Sequence, residues 1–282
     1  NCTITQDCKF DRKNYFYPDN PQNYQISQLY LPICRNGHVD VTLSDGTEKT
    51  IRIHEIHMEE DAGKLVHDEW EGVSYVDYNR SGVPLIEIVS EPDMRSAEEV
   101  IAYLTKLRTT IQYLGASDCK LQEGSMRADV NLSVRERGSS EFGTRTETKN
   151  LNSFAAIERA IKAETARQID LIEAGEKVVQ ETRRWNDDKE YSYAMRSKED
   201  AQDYRYFPDP DLVPIHISDE YLAELKAKQP EFKDEKKARY IEEFGLPEYD
   251  AEILTDSKKF TEIFEEATAI CLSLIHISEP TR

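Results

Sequence analysis

The spacing of the apolar residues changes near Ser96, and that change limits the folds open to this chain. Before it, Val39, Val41 and Leu43 alternate with polar residues, Ser44-Asp-Gly46 supplies a turn, and Ile51 and Ile53 resume the alternation. A period of two marks a half-buried strand, so this stretch predicts a hairpin. After it, Val100, Leu104, Leu107, Ile111 and Leu114 recur at steps of four and three, the stripe of an amphipathic helix. Ser96 with Glu99 has the pattern of a capping box, and Gly115 fits the left-handed position just past the helix end. Strands that give way to helices within one chain predict the α+β class.

Further elements follow from the same rules. Pro84-Leu-Ile-Glu-Ile-Val89 is short, β-branched and bounded by turn residues, which predicts a buried strand. From Met126 to Arg135 the residues Met126, Ala128, Val130, Leu132 and Val134 share one face, and Arg127, Asp129, Asn131, Ser133 and Arg135 the other. A helix is predicted from a cap at Asn152 or Ser153 to about Gly175. Mixed polar segments then lead to the turn-rich Phe207-Pro-Asp-Pro-Asp211. Beyond Pro214, acid-rich short helices are separated by Gln229-Pro230 and Gly245-Leu-Pro247. The expected organisation is a strand-rich domain over 1–215 and a helical domain over 216–270. The stretch 271–282 drops the pattern and is expected to be non-native. Asn1 is neither an initiator methionine nor the start of a leader, and the chain is read as a fragment.

Composition narrows the function. The 282 residues carry 36 basic against 55 acidic side chains, a net charge of −19, the wrong sign for a protein that holds nucleic acid by neutralising phosphates over its whole surface. Any RNA contact must be local. There is no apolar run of membrane-spanning length. The five cysteines form no CxxC pair and no zinc spacing, which predicts reduced thiols in a cytoplasmic protein.

Four constellations could carry chemistry. The first is His57-Met-Glu-Glu-Asp-Ala-Gly-Lys64, whose three consecutive carboxylates suit a hard cation such as Mg²⁺ or simply form a solvated turn. It lacks the glycines and the Ser or Thr of a phosphate-cradling loop. In the second, Glu87 sits inside the most apolar strand, where a carboxylate is costly to bury unless paired or bound to a cation, with Asn79 and Arg80 just upstream. The third sets Arg127, Asp129 and Asn131 beside Arg145, Glu147 and Lys149 on the following strand, as a charged working surface or as an exposed face with compensating charges. The fourth is the basic, aromatic start with Arg12 and Lys13, able to stack and neutralise a nucleotide or to serve as ordinary core and surface. Arg183-Arg184 and Asp203-Tyr-Arg-Tyr-Phe-Pro-Asp-Pro-Asp211 are open in the same way.

Several strings, in order along the chain, resemble the B subunit of aspartyl/glutamyl-tRNA amidotransferases. They are Lys9-Phe-Asp-Arg-Lys-Asn-Tyr-Phe-Tyr-Pro-Asp-Asn-Pro21, His57 to Lys64, Pro84-Leu-Ile-Glu-Ile-Val-Ser-Glu-Pro-Asp93, Glu123-Gly-Ser-Met-Arg127, Lys149-Asn-Leu-Asn-Ser-Phe154, Gln180-Glu-Thr-Arg-Arg184 and Asp203-Tyr-Arg-Tyr-Phe-Pro208. The resemblance covers about residues 8 to 268. It implies a mainly β cradle with flanking helices followed by a small helical domain. It also implies an ATP-dependent ligase that phosphorylates the side-chain carboxylate of Glu-tRNA(Gln) or Asp-tRNA(Asn) and amidates it with ammonia from a partner amidase.

Carried over motif by motif, Glu60 and Glu87 look like Mg²⁺ ligands, with Asp129 and Glu147 for a second cation. Lys13 and Asp211 resemble residues at the entry of the ammonia path, and Arg80 joins them as a catalytic candidate. Arg12, Asn79, Arg127 and Lys149 are expected to contact ATP or the aminoacyl end. The implied partners are the amidase (A) subunit, the small C subunit and the misacylated tRNA. The family's opening Glu-x-His strand and its tail domain are not matched, so this polypeptide alone is expected to be inactive. A non-catalytic acidic scaffold and a two-metal nuclease are the competing readings of the same carboxylates.

Overall fold

The computed structural model describes residues 1–68, 70–197 and 203–270; the stretch from Cys271 to Arg282, expected to be non-native, lies outside them. One four-stranded sheet has the order β1 (Thr3–Ile4), β5 (Cys34–Thr42), β6 (Glu48–Glu60) and β9 (Pro84–Ser90). A second has the order β10 (Val130–Leu132), β11 (Thr146–Lys149), β12 (Glu181–Asn186) and β13 (Tyr191–Ser197). In a smaller sheet, β3 (Asp11–Asn14) lies between β14 (Phe207–Pro208) and β4 (Tyr24–Ser27). β2 (Asp7–Cys8) pairs with β15 (Ile215–His216), and β7 (Lys64–Asp68) with β8 (Val73–Asp77). The helices among the described residues are α1 (Ala97–Leu114), α2 (Phe154–Glu173), α3 (Asp219–Ala227), α4 (Lys233–Phe244), α5 (Glu248–Thr255) and α6 (Lys258–Ile270). The fold is mixed α and β with several sheets, none closed into a barrel. No described helix is long and apolar enough to cross a membrane.

The period change at Ser96 has a structural consequence, because α1 serves two sheets. Its Tyr103 is buried against Val41 and Ile51 of the β5–β6 hairpin. Its Val100, Ile101 and Leu104 pack against the cluster of Leu121, Ala156, Ile157, Ala160 and Trp185 that joins α2 to the second sheet. At the far end of α1, Tyr113 donates to the carbonyl oxygen of Thr255 at 2.7 Å, and Lys106 pairs with Asp234. That contact connects α1 to α4–α6, which pack around Tyr240, Leu246, Ala251 and Phe264. Ser96 accepts from the amide of Glu99, and Gly115 ends the helix at φ 71°. The reciprocal half of the expected capping box differs: Glu99 turns to the amide of Arg95 and to Lys49.

Three other expectations change. β9 forms where predicted but is not buried: among the described residues it is an edge strand, hydrogen-bonded only to β6, with Ile86 49% exposed. Of Met126 to Arg135 only Val130–Leu132 joins a ladder, although Met126, Ala128, Val130 and Leu132 do pack into the core as the alternation requires. The segment read as mixed and polar after Gly175 contains β12 and β13, whose inward face carries Arg183 and Trp185.

The inward Arg183 is neutralised by Glu164 of α2, whose side chain is 2% exposed. Glu164 also accepts from Thr146, Gln168 and Arg167 at 2.7–2.9 Å. Burial pushes its carboxyl up, but the hydrogen bonds from Arg167, Gln168 and Thr146 outweigh this and hold it below the usual carboxylate range. Because the folded-state value is depressed, its stabilising contribution is present above the unfolded value and is lost as pH falls through the folded one. Glu164→Ala should cost about 1–3 kcal/mol by taking the shared acceptor from Thr146, Gln168 and Arg167 and one of two carboxylates from buried Arg183, which keeps Glu181. Denaturant unfolding at pH 7 should show this, with the gap between parent and variant narrowing in acid; equal stability at pH 7 would refute it.

Candidate metal centre

β6 and β9 pair antiparallel with His57 directly opposite Glu87. Alternation along β6 puts Glu59 on the same face as His57, so three potential ligands converge. Their ligand atoms lie within 4.8 Å of one another. His57 Nε2 is 3.2 Å from Glu59 Oε1 and 3.3 Å from Glu87 Oε2. His57 and Glu59 are largely buried, whereas the Glu87 side chain is 54% exposed, so the centre opens to solvent on one side.

The electrostatics follow from this packing. Burial would lower the basicity of His57, but Glu59 and Glu87 overcome it and push its pKa up to about 9. Glu87 is held below the usual carboxylate range chiefly by the hydrogen bond from His57, against a burial effect of opposite sign, with help from the charges of His57, Lys13 and Lys149. His57 Nδ1 is buried without a hydrogen-bond partner and lies 3.5 Å from Glu55 Oε1. Glu59 is fixed from behind by Ser27 Oγ at 2.8 Å.

The other candidates fall into four places. Glu60, one residue beyond Glu59, does not join the cluster: its carboxylate accepts from Gln22 at 2.5 Å and from the amide of Ile26 at 3.0 Å. Asp129 and Glu147 do converge, but on Lys149, whose Nζ is 2.7 and 3.1 Å from them. Burial would depress the ammonium, and the two carboxylates raise it instead. Arg80 and Arg127 meet at buried Asp61, at 3.1 and 2.9 Å. Arg12 is held by Asp209 at 2.6 Å and Asp211 at 2.7 Å and lies 4.1 Å from the ring centre of Tyr24. Asp211 is thus tied to Arg12, while Lys13 lies 5.0 Å from the ring of Tyr204 with, among the described residues, no ion pair. Asn79 bonds the carboxylate of Asp77 and shapes the turn after β8.

The turn that brings Asp61 to its arginines depends on Gly63. A Cβ there would stand 2.9 Å from the carbonyl oxygen of Asp77 and 3.1 Å from that of Asp19, while its amide donates to Asp19 at 2.8 Å. Sequence reasoning placed His57, Glu59 and Asp61 in its first constellation but took only Glu60 from it as a ligand. Their i, i+2 parity was visible, but the pairing that sets Glu87 opposite His57 was not.

A family profile described as the GatB/GatE catalytic domain matches residues 1–223. The chain belongs to that family. It is 76% identical over 271 residues to the B subunit of the aspartyl/glutamyl-tRNA(Asn/Gln) amidotransferase of Agathobacter rectalis, covering 96% of this chain and 57% of that protein. It is 68% identical to the corresponding protein of Lachnoclostridium phytofermentans, which bears the same name, over 96% of this chain and 56% of the relative. For the Caldicellulosiruptor bescii protein, again of that name, the identity is 60%, over 94% and 55%. The chain therefore spans a little over half the length of these curated relatives.

Asp61 carries two hydrogen-bonded guanidinium groups, so Asp61→Ala should cost about 1.5–3 kcal/mol. Arg127→Ala, which removes a half-exposed partner, should cost less than about 1 kcal/mol. Thermal unfolding of the two variants should reproduce this order, and a reversed order would show that Asp61 does not hold the pair.

Proposed function

We propose that this chain is the ATP-dependent kinase part of the amidotransferase, acting on the side-chain carboxylate of glutamate or aspartate misattached to tRNA. The observation that carries the reading is the convergence of His57, Glu59 and Glu87 at an open edge of the first sheet, with Lys13 and Lys149 near enough to lower Glu87. The donor set fits a divalent cation. Two carboxylates offer hard oxygens, and the positive charge of His57 between them marks the place that a cation would take. Glu59 and Glu87 would hold Mg²⁺, while Glu60 faces the other side of β6, held by Gln22 and the amide of Ile26. Mg²⁺ bound there supplies charge neutralisation for the transferring phosphoryl group.

The remaining steps rest on the chain's own residues. Lys13, free of an ion pair among the described residues, is placed to bind the oxygens of the γ-phosphoryl. Asp129 and Glu147 keep Lys149 charged and aimed, taking an ammonium where a second cation was expected. Arg80 and Arg127 are assigned to the phosphate tail or the aminoacyl end, Arg12 and Asn79 to the walls of the nucleotide site, and Asp211 to orienting Arg12. A carboxylate oxygen of the substrate attacks the γ-phosphorus as the bond to the ADP oxygen breaks. Ammonia from the amidase partner then attacks the carbonyl carbon, phosphate leaves with the C–O bond, and the nitrogen loses a proton to give the amide. Activation is needed because a carboxylate is a poor acyl donor and an acyl phosphate a good one. The amidase partner, the small third component and a cytoplasmic setting belong to the same proposal.

In the full-length protein assembled with its partners, Glu87→Gln and Glu59→Gln should each lower ATP-dependent transamidation on the order of 100-fold or more. Both should also weaken Mg²⁺ binding measured by calorimetry. Activity within about threefold of the parent in both variants would overturn the site assignment. Mg²⁺-dependent RNA cleavage that vanishes in both would favour the nuclease reading instead.

A further inference from the structure

The second sheet has one covered face and one bare one. Toward α2 it presents Thr146, Thr148, Arg183 and Trp185, all buried. On the opposite face, the pairing register sets Lys149 of β11 beside Arg184 of β12, and Arg184 beside Tyr193 of β13. Asp129 extends the row through its 2.7 Å contact with Lys149. Tyr193 is 42% exposed, and its neighbour Tyr191 is 45% exposed with ring centres 6.1 Å apart. Arg184 is exposed and, among the described residues, has no ion pair. The row therefore runs from Lys149 to the aromatic edge of β13, two strand spacings or about 10 Å away.

Arg184 is one of several arginines without a carboxylate among the described residues, and its neighbours set it apart. Beside two bare tyrosine rings it makes a surface whose chemistry is specific: planar π-faces to stack on, and one guanidinium to stack or to hold a phosphodiester. Small-molecule nucleotides bind in concave sites, whereas flat sheet faces with exposed aromatics suit unpaired bases of a chain. We infer that Arg184, Tyr193 and Tyr191 form a stacking platform for an unpaired nucleotide at the end of an RNA strand, which the row then leads toward Lys149 and Asp129. The inference rests on the function proposed above and adds to it where the RNA end lies. It also answers how an acidic chain contacts RNA: by stacking and one local cation, with little long-range attraction.

The test uses the full-length protein in its assembled complex and a fluorescent single-stranded RNA tetranucleotide, followed by anisotropy. Tyr193→Ala should weaken binding on the order of 5- to 100-fold, and Tyr193→Phe should stay within about twofold of the parent. Arg184→Gln should weaken binding and reduce the salt dependence by about one phosphate contact. Binding unchanged in Tyr193→Ala and Arg184→Gln would overturn the platform, as would full displacement of the RNA by ATP, which would reassign the face to the nucleotide. Mg²⁺ calorimetry on the same samples separates the two proposals. If Mg²⁺ binding depends on Glu87 while the platform variants bind normally, only the platform falls. If Mg²⁺ does not bind but RNA binding depends on Tyr193, the metal centre falls and the platform stands.

Discussion

Mutual repulsion of carboxylates is the constraint on which the rest of this structure depends. A chain with 55 acidic side chains cannot gather them at one surface unless cations are folded in among them. Each functional cluster has such a cation. His57 sits between Glu59 and Glu87, Lys149 between Asp129 and Glu147, Arg80 and Arg127 at Asp61, and Arg12 between Asp209 and Asp211. The same device works away from the site: Lys236 and Arg239 of α4 share Glu231 and Glu265. Inside the core, Arg183 and Arg167 attend Glu164.

These pairings are possible because α1 fixes the relation between two sheets. With Tyr103 in one core and Val100, Ile101 and Leu104 against the other, it cannot shift toward either sheet without opening a cavity in one. Glu87 on the first sheet and Lys149 on the second can therefore act on each other. The site is built across elements that share a rigid post, which suits a reaction that relies on positioning and charge.

Local features of the fold were legible in the sequence, and long-range ones were not. The β5–β6 hairpin, α1 with its Ser96 cap and Gly115 stop, and α2 with its cap at Ser153 are each encoded within a few neighbouring residues. β12 escaped notice because its buried face includes Arg183, a residue that can be internal because Glu164 of α2 and Glu181 of its own strand both pair with it. At the site, Glu87 stood out as a carboxylate among Leu85, Ile86 and Ile88. Choosing between Glu59 and Glu60 required the register of β9 against β6, and nothing in the run Glu59-Glu60-Asp61 reveals that His57 faces Glu87. Asp61 was hidden for the same reason, since its arginines come from a turn and a segment far along the chain.

In a chain this acidic, an unpaired cation carries more information than a paired one. Lys13 and Arg184 have no carboxylate partner among the described residues; Lys13 lies 5.0 Å from the ring of Tyr204, and Arg184 is the register neighbour of Tyr193. A cation against a ring keeps its charge while losing part of its hydration, so it is poised to take an anion at little further desolvation cost. Lys13 and Lys149 both act on Glu87, and Lys149 is the register neighbour of Arg184. Lys13, Lys149 and Arg184 thus set positive charge beside Glu87 and along the open sheet face, where a phosphorylated or phosphodiester-linked substrate would complete the neutralisation.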